Sequence, residues 1–248
     1  MHDNQESHEN PAPSKDQNLA KDQNQPIAVS EYLHPGVFID ADHPAVKKFT
    51  DQALEGAGPT PIERAVALYY AVRDGLRYDP YSMDMAAANF TASHIATQKA
   101  AFCIPKAILL TACARAAGIP ARIGYADVRN HLCSAKLKAA MAGNDLFMYH
   151  GYVEMYLLDK WVKSTPAFNL ELCEKVGIEA LGFNGRDDSM MHPFDKAGRE
   201  HMEYVQDHGH FFDHPHERIQ GAFKEAYGDL DLMLGSMKGD FAAEVSAG

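Results

Sequence analysis

From Phe102 to Arg122 the chain reads Phe-Cys-Ile-Pro-Lys-Ala-Ile-Leu-Leu-Thr-Ala-Cys-Ala-Arg-Ala-Ala-Gly-Ile-Pro-Ala-Arg, with apolar or small residues at nearly every turn from Ile104 to Ala117. A helix of this kind has almost no face to give to water, so it predicts a central helix enclosed by the rest of the domain. Gly118 followed by Pro120 is a stop signal: glycine takes the left-handed conformation beyond the last turn, and proline cannot continue the hydrogen bonding. Pro105 marks the other end, because proline is tolerated only in a first helical turn. Cys103 therefore falls at the helix N-terminus.

A thiol in that position lies in the field of the helix dipole, beside backbone N–H groups that favour negative charge. Its pKa is expected to fall and its nucleophilicity at neutral pH to rise. Free cysteine is otherwise a small buried hydrophobe, a description that fits Cys113 deep in the same helix. Gln98, five residues before Cys103, could offer an amide to an oxyanion or could be an exposed loop residue. The backbone N–H of Cys103 is the better donor.

The histidine that gives Cys103 a partner is His150. Met148 to Leu158 is rich in aromatic and branched residues, Asp159-Lys160 is a polar turn, and a second strand starts at Trp161, which together predict a β-hairpin. Alternation puts His150, Tyr152, Glu154 and Tyr156 on one face and Tyr149, Val153, Met155 and Leu157 on the other.

A helix-start Cys103, the ending Arg115-Ala-Ala-Gly-Ile-Pro-Ala-Arg122, the run His150-x-x-x-Glu154-x-Tyr156-Leu157, the Trp161-Val162 strand and a residue directly before Pro166 together resemble the core of the transglutaminase-like superfamily, over about residues 65 to 168. The resemblance implies a papain-like α+β fold with Cys103 as nucleophile and His150 as its base. In that family the residue before the proline is usually an Asp that orients the imidazole. Here it is Thr165, whose hydroxyl can accept a hydrogen bond but cannot stabilise an imidazolium as a carboxylate does. Asn169 is the alternative third residue, as asparagine serves in papain-like triads. Asp187 or Asp195 from the C-terminal segment could also take the role.

The first 25 residues are polar and have almost nothing to bury, which predicts disorder for 1–25. Residues 26–240 are expected to form a single domain with a C-terminal extension, and 241–248 a flexible tail. Ala45 to Leu54 predicts a first helix, and Thr60-Pro61-Ile62-Glu63 opens a second with a capping box. Ala121 to Val128 predicts a strand that carries Asp127, Arg129, Asn130 and His131 to its end, where they could line a cleft or cap the helix from Ser134 to Ala142. Glu217 through Tyr227 predicts an amphipathic helix. The stretch His208-Gly-His-Phe-Phe-Asp-His-Pro-His216 carries residue types that suit zinc or nickel, but its glycine and proline predict a solvated loop, and no metal or cofactor is expected.

A formal net charge of −11 without a Lys/Arg cluster argues against a nucleic-acid partner. The chain has no signal-peptide pattern and no apolar run of membrane-spanning length, so a cytoplasmic setting is expected, in which the four cysteines stay thiols. The expected fold is α+β, papain-like, with a buried central helix packed on an antiparallel sheet. The expected function is thiol-dependent amide or peptide hydrolysis, or acyl transfer, through an acyl-enzyme on Cys103, with a peptide or amide as substrate. The alternative is a non-catalytic binding module that kept the cleft and lost the orienting Asp.

Overall fold

The computed structural model describes residues 27–131, 134–192, 196–228 and 241–246. The predicted disordered stretch 1–25 lies outside these residues, as do Cys133 and Asp195.

Two helices lead into the core: α1 (Pro44–Ala53) and α2 (Pro61–Gly75). The start of α2 is closed by the predicted capping box. Glu63 N–H donates to Thr60 Oγ1 (3.3 Å), and Thr60 N–H donates back to the Glu63 carboxylate (3.0 Å). A two-residue strand β1 (Arg77–Tyr78) pairs in parallel with β2 (Ala100–Ala101), across the short helix α3 (Ala92–Ile95). Then comes α4 (Cys103–Ala116), in which every residue from Ile104 to Arg115 is buried. It ends as the sequence predicts: Gly118 sits at φ +78°, its N–H donates to the Arg115 carbonyl, and Ile119 N–H donates to the Ala114 carbonyl (2.9 Å each). This is the Schellman arrangement.

Three polar residues of α4 share its burial, and each is satisfied by carbonyl oxygens. Lys106 Nζ donates to Arg73 and Leu76 oxygens (2.7 Å each), which closes the C-terminal end of α2. Thr111 Oγ1 donates to Ala107 O in the preceding turn (2.8 Å). The Arg115 guanidinium donates to Ala121, His34 and Phe212 oxygens at 2.6–2.9 Å, so one side chain ties the helix to three separate parts of the chain.

The sheet is antiparallel with spatial order β5-β4-β3-β6, from β3 (Ala121–Asn130), β4 (Leu146–Leu157), β5 (Lys160–Ser164) and β6 (Met202–Phe211). Helix α4 packs on β3 and β4 with α1, α2 and α3 against it as well, which is the predicted α+β arrangement of a buried central helix on an antiparallel sheet. Cross-strand partners Arg122 and Glu154 form a largely buried ion pair. The basic end of one motif and the acidic residue of the other thus meet as a register lock. Arg122 also lies over the Trp161 ring, 4.0 Å from its centroid.

Two sequence expectations need correction. The hairpin turns at Leu158-Asp159, one residue earlier than the polar pair Asp159-Lys160 suggests, with φ of 50° and 59°. Positive φ at both central residues is the twist that a two-residue hairpin demands, whatever the side chains. The histidine-rich stretch is not a solvated loop either. His208 and His210 belong to edge strand β6, whose mostly exposed face hides the alternation that would reveal a strand. His214 and His216 are buried among Phe38, Phe90 and Tyr125. His214 Nδ1 is hydrogen-bonded to Tyr125 Oη (2.7 Å), and Asp213, the residue before His214, accepts the backbone N–H groups of Val37 and Ile39. Helix α5 (Ala135–Ala140), α6 (Leu170–Val176), α7 (His216–Tyr227) and α8 (Phe241–Ser246) complete the described chain. Phe241, in the segment expected to be a tail, is buried against Tyr78.

Burial pushes His214 down to about 3 from the ordinary imidazole value, so in acid the unfolded chain binds a proton that the folded one refuses. Its contribution to stability is therefore complete above about pH 6.5 and lost as the pH falls toward 3. Urea midpoints between pH 7 and 4 should fall steadily. A His214→Gln variant should be weaker at pH 7 but lose less over the same range.

Candidate active site

Cys103 is the first residue of α4, after Phe102 in extended backbone conformation, so the sulfur stands at the mouth of the helix as Pro105 predicted. Strand β4 comes unusually close to it. A Cβ built on Gly151 would meet Ala107 Cβ at 3.1 Å, Ile104 Cα at 3.2 Å and Cys103 O at 3.3 Å. A glycine at this crossing lets the strand backbone rest on the first turn of the helix. The Gly151 N–H then reaches the Cys103 thiol, alongside the N–H groups of Cys103 and Ile104.

These amides and the nearby Lys106 favour thiolate, as the helix-start position predicts, but burial outweighs them and pushes Cys103 up to about 11. The expectation of a lowered thiol pKa is therefore reversed. His150, the residue before Gly151, is 3% exposed, and burial pushes it down to about 4. Its Nε2 is enclosed without a hydrogen-bond partner among the described residues. At neutral pH Cys103 therefore rests as a thiol and His150 as a neutral imidazole.

The candidates for the third position have other partners. Thr165 is buried; its hydroxyl donates to Met190 Sδ (3.6 Å) and lies against the Tyr204 phenol, while its carbonyl accepts from Tyr69 Oη. Asn169 Oδ1 accepts the Tyr78 N–H (2.9 Å) and so braces β1. Asp187 is exposed and bonded to Asn184 Nδ2. Gln98 is exposed, with its amide turned to His94 O and Thr97 Oγ1.

Sequence reasoning left the role of Asp127 open. It is buried, and its Oδ1 meets His208 Nε2 (2.7 Å) and accepts the N–H of Tyr149 (2.9 Å). Tyr149 precedes His150 and sits at φ +54°, in a bulge where pairing shifts between Ala126 and Val128. Its ring stacks on His208 with 4.1 Å between centroids. Asp127 thus holds the strained backbone next to His150. Arg129, by contrast, pairs with Glu203 and Asp145, with His131 about 3.8 Å from Glu203, in an acid–base cluster along β3 and β6. The bulge separates these roles, which strand alternation cannot foresee.

Beside Cys103 lies an apolar cavity of about 40 Å³, walled by Met83, Phe102, Leu137, Met141, Phe147 and Phe223 among others. Tyr227 closes one side; its hydroxyl accepts from Met148 N (2.7 Å) and donates to Leu146 O (2.6 Å). Among the described residues, no group of three or more His, Cys, Asp or Glu is arranged to hold a metal ion, and no helix is long and apolar enough to cross a membrane.

Residues 47–166 match the Transglutaminase-like superfamily. A crystal structure of a candidate cysteine protease from Cytophaga hutchinsonii is similar at 19% identity and a TM-score of 0.38, covering 54% of this chain and 40% of that one. The chain thus spans well under two thirds of that protein's length. No curated protein sequence matches it.

With the thiol pushed up to about 11 and the imidazole down to about 4, iodoacetamide should modify Cys103 slowly at pH 7. The rate should climb about tenfold per pH unit from 8 to 10, following the thiolate fraction. Peptide mass mapping of the alkylated protein checks this; a rate that is flat from pH 6 to 9 would mean a preformed ion pair.

Proposed function

Since residues 47–166 match the transglutaminase-like superfamily, we propose that the chain catalyses thiol-dependent hydrolysis of a peptide or amide, or acyl transfer from it, with Cys103 as nucleophile and His150 as base. What supports this reading is the crossing of β4 over the start of α4, where Gly151 lies against Cys103; His150, its neighbour along the strand, is a buried, neutral imidazole whose Nε2 has no partner among the described residues, and the base role requires its ring to come within hydrogen-bond reach of the sulfur.

In this mechanism the thiol stays protonated until a carbonyl arrives. His150 takes the proton as sulfur attacks, so general-base catalysis replaces a standing ion pair. The N–H groups of Cys103 and Gly151 stand beside the sulfur, where an oxyanion would develop. The protonated His150 then gives its proton to the departing amine, and water or a second amine releases the acyl group. Asp127 acts through the backbone, by holding the Tyr149 bulge that sets the position of His150.

A second reading, a binding module on the same fold, is favoured by one observation: the Thr165 hydroxyl is engaged with Met190 and no carboxylate meets His150 Nε2 among the described residues. Turnover separates the two readings. Cys103→Ala should abolish release of amine from a quenched peptide library while shifting unfolding by less than about 1 kcal/mol, because a half-buried residue at a helix start removes little packed volume. Undiminished turnover would remove Cys103 as nucleophile. With Thr165 as the orienting group, Thr165→Val should lower turnover and Thr165→Asp should preserve or raise it. A silent Thr165→Val beside a crippled Asn169→Ala would move the role to Asn169.

A further inference from the structure

We infer that the apolar cavity beside Cys103 is the subsite for a short aliphatic acyl group, of about three to five carbons, carried on the carbonyl that Cys103 attacks; this rests on the reading of Cys103 as nucleophile.

Cys103 is part of the cavity wall, so an acyl carbon bonded to its sulfur would start at the cavity's edge and its chain would have the cavity to fill. The lining has no charged, imidazole or amide side chain, and the Tyr227 hydroxyl is already bonded on both sides to the β4 backbone. A polar substituent entering here would give up water for walls that are almost wholly hydrocarbon, which is unfavourable wherever its hydrogen bonds are left unmade. A hydrocarbon gains by the same move. At about 40 Å³ the space is roughly three times what a single water needs on the same measure, which suits a propyl or isobutyl group and is too small for an indole. Met83, Met141 and Met148 supply flexible, polarisable walls that adapt to branched or straight chains. Phe223 and Tyr227 belong to α7, outside the stretch 47–166 that matches the superfamily, so the C-terminal segment supplies part of a wall otherwise built from within that stretch.

The test uses p-nitrophenyl esters of acetic, butyric, isovaleric and octanoic acids on the intact chain. Sulfur forms a bond to the ester carbonyl, the bond to p-nitrophenolate breaks, and the thiol proton passes to His150 and then to solvent. Water then cleaves the thioester, releasing the carboxylic acid and restoring the thiol. Rates of p-nitrophenolate release are divided by those of the same ester with free cysteine, and the adduct is located by mass spectrometry. The expected result is an increase of roughly fourfold per methylene from acetyl to butyryl, with isovaleryl similar and octanoyl gaining nothing more. Met83→Trp, at a half-buried wall position that tolerates bulk, should remove most of the butyryl advantage, and Met141→Phe provides a second filling variant. A Cys103 adduct whose normalised rate is independent of chain length, or still climbs to octanoyl, overturns the subsite while leaving the nucleophile in place. Absence of a Cys103 adduct with every ester, or equal release from Cys103→Ala, overturns the nucleophile reading and the subsite with it.

Discussion

Everything in this fold depends on α4 being enclosed on all sides. Because no face meets water, its polar side chains must find partners inside the protein, and the partners they find hold the molecule together. Lys106 closes the end of α2, and Arg115 gathers carbonyls from His34, Ala121 and Phe212. Leaving any of these donors unpaired in so dry a setting would cost about 1–3 kcal/mol or more each, comparable to a sizeable part of a domain's net stability.

The same enclosure governs the chemistry. A helix start offers N–H groups to a thiolate, yet in a low-dielectric surrounding the penalty for charging sulfur exceeds what those dipoles return. His150 feels the same penalty in the opposite sense, since its charged form is cationic. Both groups therefore rest neutral at neutral pH. The glycine at position 151 matters here because a Cβ there would stand 3.1–3.3 Å from Ala107 Cβ, Ile104 Cα and Cys103 O, so strand or helix would have to give by a few tenths of an ångström beside the N–H that reaches the sulfur.

Where the sequence could be read, it was read through local chemistry. Pro105 and the Gly118-x-Pro120 stop locate both ends of α4, Thr60 and Glu63 locate the start of α2, and the aromatic and branched runs around Asp159 reveal the hairpin. The failures share a cause. Strand β6 is a polar edge whose pairing with β3 leaves no alternation to detect, and His214 looks like a loop residue until Phe38, Phe90 and Tyr125 are brought around it from elsewhere in the chain.

By itself the sequence determined where two candidate reactive groups stand: a cysteine at the first turn of an apolar helix and a histidine on the strand of a hairpin, both encoded by neighbours a few residues away. Only the tertiary structure decided what those groups are at neutral pH and what surrounds them. The direction of the Cys103 shift, the partners of Thr165 and Asn169, the clamp of Asp127 on the Tyr149 bulge and the cavity closed by Phe223 and Tyr227 all arise from contacts between distant segments. Desolvation and cavity shape are properties of an enclosure, and no local stretch of sequence encloses anything.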